Sequence, residues 1–147
     1  MKKLFIYYSL SGNGDVVANY LKDKDIEIRK VETNYKLSKH MFPAMMKGGF
    51  HAMINKKAKL INYDNDLSCY DEIIIGSPIW NSRLTPPINT VLKNTNLDGK
   101  KLTFILYSGG GFGKKATKKL SKKYPDSTII NIKQPKKYEE ELKKIEV

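Results

Sequence analysis

Three runs in this chain, at 3–8 (KLFIYY), 72–77 (EIIIGS) and 101–107 (KLTFILY), are apolar at nearly every position instead of every second one. A strand with one face in water alternates between apolar and polar residues. A nearly continuous apolar run needs cover on both faces, which in practice means a parallel sheet between two layers of helices. Two further runs, 26–31 (IEIRKV) and 128–132 (TIINI), complete a set of five strands, and the alternation in IEIRKV suits an edge. Amphipathic helical patterns lie between them. DVVANYLK carries Val16, Val17, Tyr20 and Leu21 on one face, and Ile88, Val91 and Leu92 follow a proline-marked helix start in TPPINTVLK. FGKKATKKLSKKY spaces Phe112, Ala116, Leu120 and Tyr124 beneath a lysine-rich face, and YEEELKKIEV forms a short closing helix. The expectation is a three-layer α/β fold with a five-stranded parallel sheet and helices on both faces.

Length and composition agree with this. The chain has 147 residues, suited to one domain over 1–147, and 40% of them are apolar. No apolar stretch reaches the roughly 20 residues of a membrane helix, so no membrane insertion is expected. MKKLFIYY begins as a signal peptide does, but its apolar run stops at SLSGNG, and it reads as a first strand. The single cysteine, Cys69, excludes an internal disulfide and suits a cytoplasmic protein. Of 27 basic residues only Arg29 and Arg83 are arginine, although the net charge is +12. Base readout favours arginine, so no specific nucleic-acid partner is expected.

In open α/β sheets ligands bind outside the carboxyl ends of strands, where the strand order reverses. The loops after the first, third and fourth long runs are all unusual. SLSGNG (9–14) opens a helix, where backbone N–H groups and the helix dipole converge on a phosphate-sized anion site. Ser9 and Ser11 add hydroxyls, Gly12 and Gly14 permit close approach, and with no cation in the loop dipoles alone would meet the charge. The loop after the third run holds the chain's one tryptophan, Trp80, beside Asn81 and Ser82, and its indole suits a flat aromatic ligand. In the loop after the fourth run Gly109, Gly110 and Gly111 offer backbone amides to a ring edge. The blander readings are a capped turn, core filling and simple flexibility.

The letters discriminate among nucleotide motifs. A dinucleotide fingerprint wants a third small residue where Val17 stands, yet Glu32 would serve as the ribose-binding acid, so that reading stays open. SGGGFGKK begins with serine and ends with lysine and so fails as a P-loop. A phosphoaccepting receiver domain lacks its acidic residues here. A phosphate loop, an aromatic platform and an amide-rich loop together describe a phosphorylated planar cofactor.

These three motifs, YYSLSGN at 7–13, YDEIIIGSPIWNSRLTPPI and LYSGGGFG, resemble those of the flavodoxin family, in order and over essentially the whole chain. The resemblance implies strand order 2-1-3-4-5 and FMN as cofactor. Its phosphate would lie at Ser9, Leu10, Ser11, Gly12, Asn13 and Gly14. The isoalloxazine would lie between Pro78, Ile79, Trp80 and Asn81 on one side and Ser108, Gly109, Gly110, Gly111 and Phe112 on the other. Gly14 stands where the family has Thr or Ser. The loop after the fourth run lacks the family's ring-covering tyrosine. The chain is also basic where carriers of the family are acidic.

The implied function is electron transfer between redox proteins. The lysines at 114, 115, 118, 119, 122 and 123 read as a solvated helix face, or else as the place where an acidic redox partner would dock. No catalytic residue and no metal site is assigned. The alternative is an NAD(P)H-dependent FMN- or quinone-type oxidoreductase, for which the long connection at 33–70 leaves room. Within it HMFPAMMKGGFHAMI reads as a helix packed on the sheet, or as an apolar flap over the cofactor. His40 and His51 read as solvent-facing or capping residues.

Overall fold

In the computed structural model, which describes residues 1–33 and 58–147, the near-continuous apolar runs lie at the centre of a sheet. The elements are β1 (Lys3–Tyr7), α1 (Asn13–Lys22), β2 (Glu27–Lys30), β3 (Glu32–Thr33), β4 (Leu60–Ile61), β5 (Glu72–Trp80), β6 (Arg83–Leu84), α2 (Pro86–Asn94), β7 (Lys101–Ser108), α3 (Lys114–Lys123), β8 (Thr128–Lys133) and a closing 3₁₀ helix (Glu139–Lys144). The main sheet runs β2-β1-β5-β7-β8 with every neighbour in that path parallel, which is the expected 2-1-3-4-5 order. The alternating run forms β2, at one edge, as its pattern required.

Two additions were not anticipated. β6 pairs antiparallel with the end of β5 (Trp80 opposite Arg83), and β3 and β4 form a separate antiparallel pair. β3 and β4 have two residues each, too short to show a period. HMFPAMMKGGFHAMI, His40 and His51 lie outside the described residues.

The period of two along the strands sorts the core into two faces. Leu4, Ile6, Ile73, Ile75, Leu102, Phe104 and Leu106 pack with Ile88 and Val91 of α2 and with Ala116 and Leu120 of α3. Phe5, Tyr7, Ile74, Ile105 and Tyr107 pack with Val17, Ala18 and Leu21 of α1 and with Leu142 of the 3₁₀ helix. The buried face of α1 is therefore rotated by one position from the expected one, with Val16 and Tyr20 at its margin. Phe112 precedes α3 and is exposed, while Tyr124 follows it and leans on Phe104 with ring centroids 5.4 Å apart.

The amino ends of the three central strands meet at Glu72, whose side chain is wholly buried. Its carboxylate takes Lys3 Nζ at 3.3 Å and Lys101 Nζ at 3.4 Å, and accepts from Thr103 Oγ1 at 3.5 Å. Among the described residues no buried carboxylate ties together the carboxyl ends of these strands. There the chain reverses its direction of travel across the sheet between β1 and β5, and their loops part.

Candidate functional site

At that parting, the ends of β1, β5 and β7 and the segment after β8 enclose a cleft of about 450 Å³, within the range of small-molecule sites. One wall is Leu10, Ser11 and Asn13, a second is Pro78, Ile79 and Trp80, and a third is Tyr107, Ser108 and Gly109. Gln134, Lys136 and Lys137 supply the fourth.

The first wall is the SLSGNG loop. Gly12 precedes α1 with φ at 94°, a left-handed conformation that a side chain would strain. Val16 N–H donates to Gly12 O at 3.1 Å, closing the first helical turn. Ser9 lies beneath the loop, its Oγ accepting from Gly14 N–H at 3.1 Å, so that hydroxyl faces the helix and not the cleft. Asn13 Nδ2 donates to Ser11 Oγ at 3.1 Å. A Cβ on Gly14 would meet the Tyr107 hydroxyl at 2.6 Å and Tyr7 Cδ2 at 2.8 Å. Gly14 is therefore matched to a tyrosine arriving from β7. Tyr107 donates its O–H to Tyr8 O, and burial pushes its pKa well above the ordinary tyrosine range.

Asp15, in the first turn of α1, points at Lys30 Nζ (2.7 Å) and the Tyr7 hydroxyl (2.8 Å). Burial works to raise its pKa, but the hydrogen bonds from Lys30, Tyr7 and Ser9 prevail and hold the carboxyl below its usual value. Its charge is thus answered on the β2 side.

Trp80 is more enclosed than a loop platform. It ends β5, is 4% exposed, and stands edge-on to Tyr8 at 6.2 Å while one part of it borders the cleft. Asn81 and Ser82 have φ of 48° and 62°, the two left-handed corners of a type I′ hairpin. Asn81 lies in that turn, outside the cleft lining. Ser82 caps α3, its Oγ accepting from Lys115 N–H at 2.9 Å and its carbonyl from Ala116 N–H at 2.8 Å.

In the third wall Ser108 Oγ accepts from Gly111 N–H at 3.0 Å, so that amide is engaged within its own loop. Gly110 has open space around it, and Phe112 is 62% exposed. Of the expected residues, the cleft gathers Leu10, Ser11, Asn13, Pro78, Ile79, Trp80, Ser108 and Gly109. Ser9, Gly12 and Gly14 shape its first loop, and Asn81, Gly110, Gly111 and Phe112 lie off its lining.

The fourth wall escaped sequence reasoning. The expectation that dipoles alone would meet a charge at SLSGNG rested on the loop's own letters, and Lys136, from the segment after β8, lies against that loop. Its Nζ donates to Ser11 O at 3.3 Å and its backbone N–H to Asn13 Oδ1 at 3.0 Å. The signal was present in KQPKKY, directly after the fifth run. The strand-end rule that singled out the first, third and fourth runs applies to the fifth as well.

A family model described as flavodoxin matches residues 2–146. No curated protein matches. Among solved structures, a provisionally assigned flavoprotein from Bacteroides eggerthii DSM 20697 is 21% identical with a TM-score of 0.73, covering 87% of this chain and 84% of its own. Its counterpart from Bacteroides uniformis ATCC 8492 is 23% identical with a TM-score of 0.67, over 87% and 85%. A flavoprotein from Lactobacillus acidophilus NCFM, solved in complex with FMN, is 20% identical with a TM-score of 0.61, over 95% and 97%. At such identities these likenesses concern the fold.

Proposed function

The chain belongs to the flavodoxin family, and from that premise we propose that it binds FMN in the cleft between β1, β5 and β7 and carries electrons between redox proteins. The observation that supports this reading best is the division of the cleft. One end, where the helix-opening loop meets Lys136, is polar, and the wall of Pro78, Ile79 and Trp80 beyond it is apolar and aromatic. A phosphorylated planar molecule has the same division. The left-handed Gly12 keeps the loop free of a side chain at the turn where a phosphate would approach. The group fits the residues present.

Ser11 and Asn13, with the first amides of α1, would hold the phosphate end. Pro78, Ile79 and Trp80 on one side and Ser108 and Gly109 on the other would flank the ring, with Ile79 and Trp80 excluding water from it. Tyr107, bonded to Tyr8 O and filling the space beside Gly14, keeps the loop and β7 in register. FMN, when bound, supplies the electron chemistry, and the protein sets its surroundings. The exposed lysines of α3 suit an acidic partner in the cytoplasm.

The test is a visible spectrum of the protein after addition of FMN and removal of the excess. Two flavin bands that stay with the protein support the reading, and an apoprotein that retains none overturns it. Bleaching of the bound flavin by NADPH alone would replace the carrier with an oxidoreductase.

A further inference from the structure

We propose that Lys136 recognises the phosphate end of the ligand, so that the site selects a flavin phosphate over the same flavin without phosphate; this rests on the FMN reading above. The SLSGNG loop contains no cation, and a helix dipole by itself presents roughly half a charge to a dianion. Lys136 lies 125 residues along the chain from Ser11 and is tied to the loop at both its ends, through Nζ to Ser11 O and through its backbone N–H to Asn13 Oδ1. The same Nζ lies 3.4 Å from the place a Cβ on Gly12 would occupy, over the residue that opens α1.

The backbone sets this position. Gln134, just before Pro135, has φ of 25°, a conformation that a non-glycine residue adopts only when its surroundings enforce it. Those surroundings are visible. Gln134 N–H donates to Ser108 O at 3.1 Å, and its carbonyl accepts from Lys137 N–H at 2.8 Å and from Tyr138 N–H at 2.9 Å. The turn is thereby fastened to the end of β7 and carries Lys136 onto the loop. Among the described residues Lys136 pairs with no carboxylate. Asp15, on the same helix turn, is already paired with Lys30. An ammonium held against a carbonyl, with no counter-ion, is available to an anion, and charge-assisted hydrogen bonds to phosphate are among the stronger ones.

The experiment titrates wild-type protein, Lys136→Gln and Lys136→Arg with FMN and with riboflavin, at low and high salt. The expected result is that Lys136→Gln weakens FMN about tenfold or more and leaves riboflavin unchanged. Lys136→Arg should keep most of the FMN affinity, and salt should weaken FMN more in wild type than in Lys136→Gln. Riboflavin reports whether each variant keeps its ring site. An equal loss of both flavins in Lys136→Gln, or no loss of either, overturns this assignment while FMN binding by the wild type stands. Wild-type protein that binds neither flavin overturns the FMN reading and this assignment with it.

Discussion

At Gly14 a single hydrogen in place of a side chain decides how two strands meet the loop. The atoms nearest a Cβ there are the Tyr107 hydroxyl at 2.6 Å, Ser9 Cβ at 2.8 Å and Tyr7 Cδ2 at 2.8 Å, none of which can withdraw without leaving the core or the loop. Gly14→Ser should therefore destabilise the protein by about 1–3 kcal/mol, measured by urea denaturation. Adding Tyr107→Phe removes the nearest of the three atoms and should recover part of that loss. If Gly14→Ser proves as stable as wild type, the tight fit described here is wrong. The glycine was legible in the sequence as an approach point, but its partner was not, because Tyr107 reads simply as one more apolar residue in KLTFILY.

The hairpin β5–β6 does at element scale what Gly14 does at residue scale. Its corners, Asn81 and Ser82, adopt left-handed φ, and Ser82 also accepts the first amides of α3. Ser82→Val combines a β-branched residue in that conformation with a lost cap and should cost about 2 kcal/mol or more. Ser82→Gly relieves the turn but loses the hydroxyl acceptor, so its cost should be below about 1 kcal/mol. Urea midpoints of the two variants in the reverse order would reject this account of the turn. The strands themselves were legible, since a run apolar at every position has few other places to go. Boundaries were less so. The third run continues as strand to Trp80 because β6 folds back and pairs with it, and a two-residue strand leaves no period to read. The buried face of α1 came out one position away because tertiary packing, and not the hydropathy of DVVANYLK, chose Ala18 over Val16.

Across the whole molecule the two ends of the sheet have separate tasks. At the amino ends a buried carboxylate, Glu72, holds Lys3 and Lys101 of the flanking strands. Glu72→Ala takes away the buried acceptor of Thr103 and of two lysines that both keep contact with water, and should cost about 1–2 kcal/mol, read from the urea midpoint. The same folded variant should bind flavin as the wild type does, since the cleft lies at the opposite ends of the strands. A parallel loss of flavin affinity would show that the two ends are coupled. By itself the sequence determined the layered parallel sheet, its strand order through family resemblance, and the three loops around the cleft. Each of these is written in local pattern: period, turn residues and short motifs. Only the tertiary structure decided that Trp80 is enclosed, that Tyr107 fills the space at Gly14, and that Lys136 brings a cation to a loop with none of its own. A side chain's own neighbourhood in sequence reports which way it faces. What it then meets depends on strand order, which brings residues more than a hundred positions apart into hydrogen-bond distance.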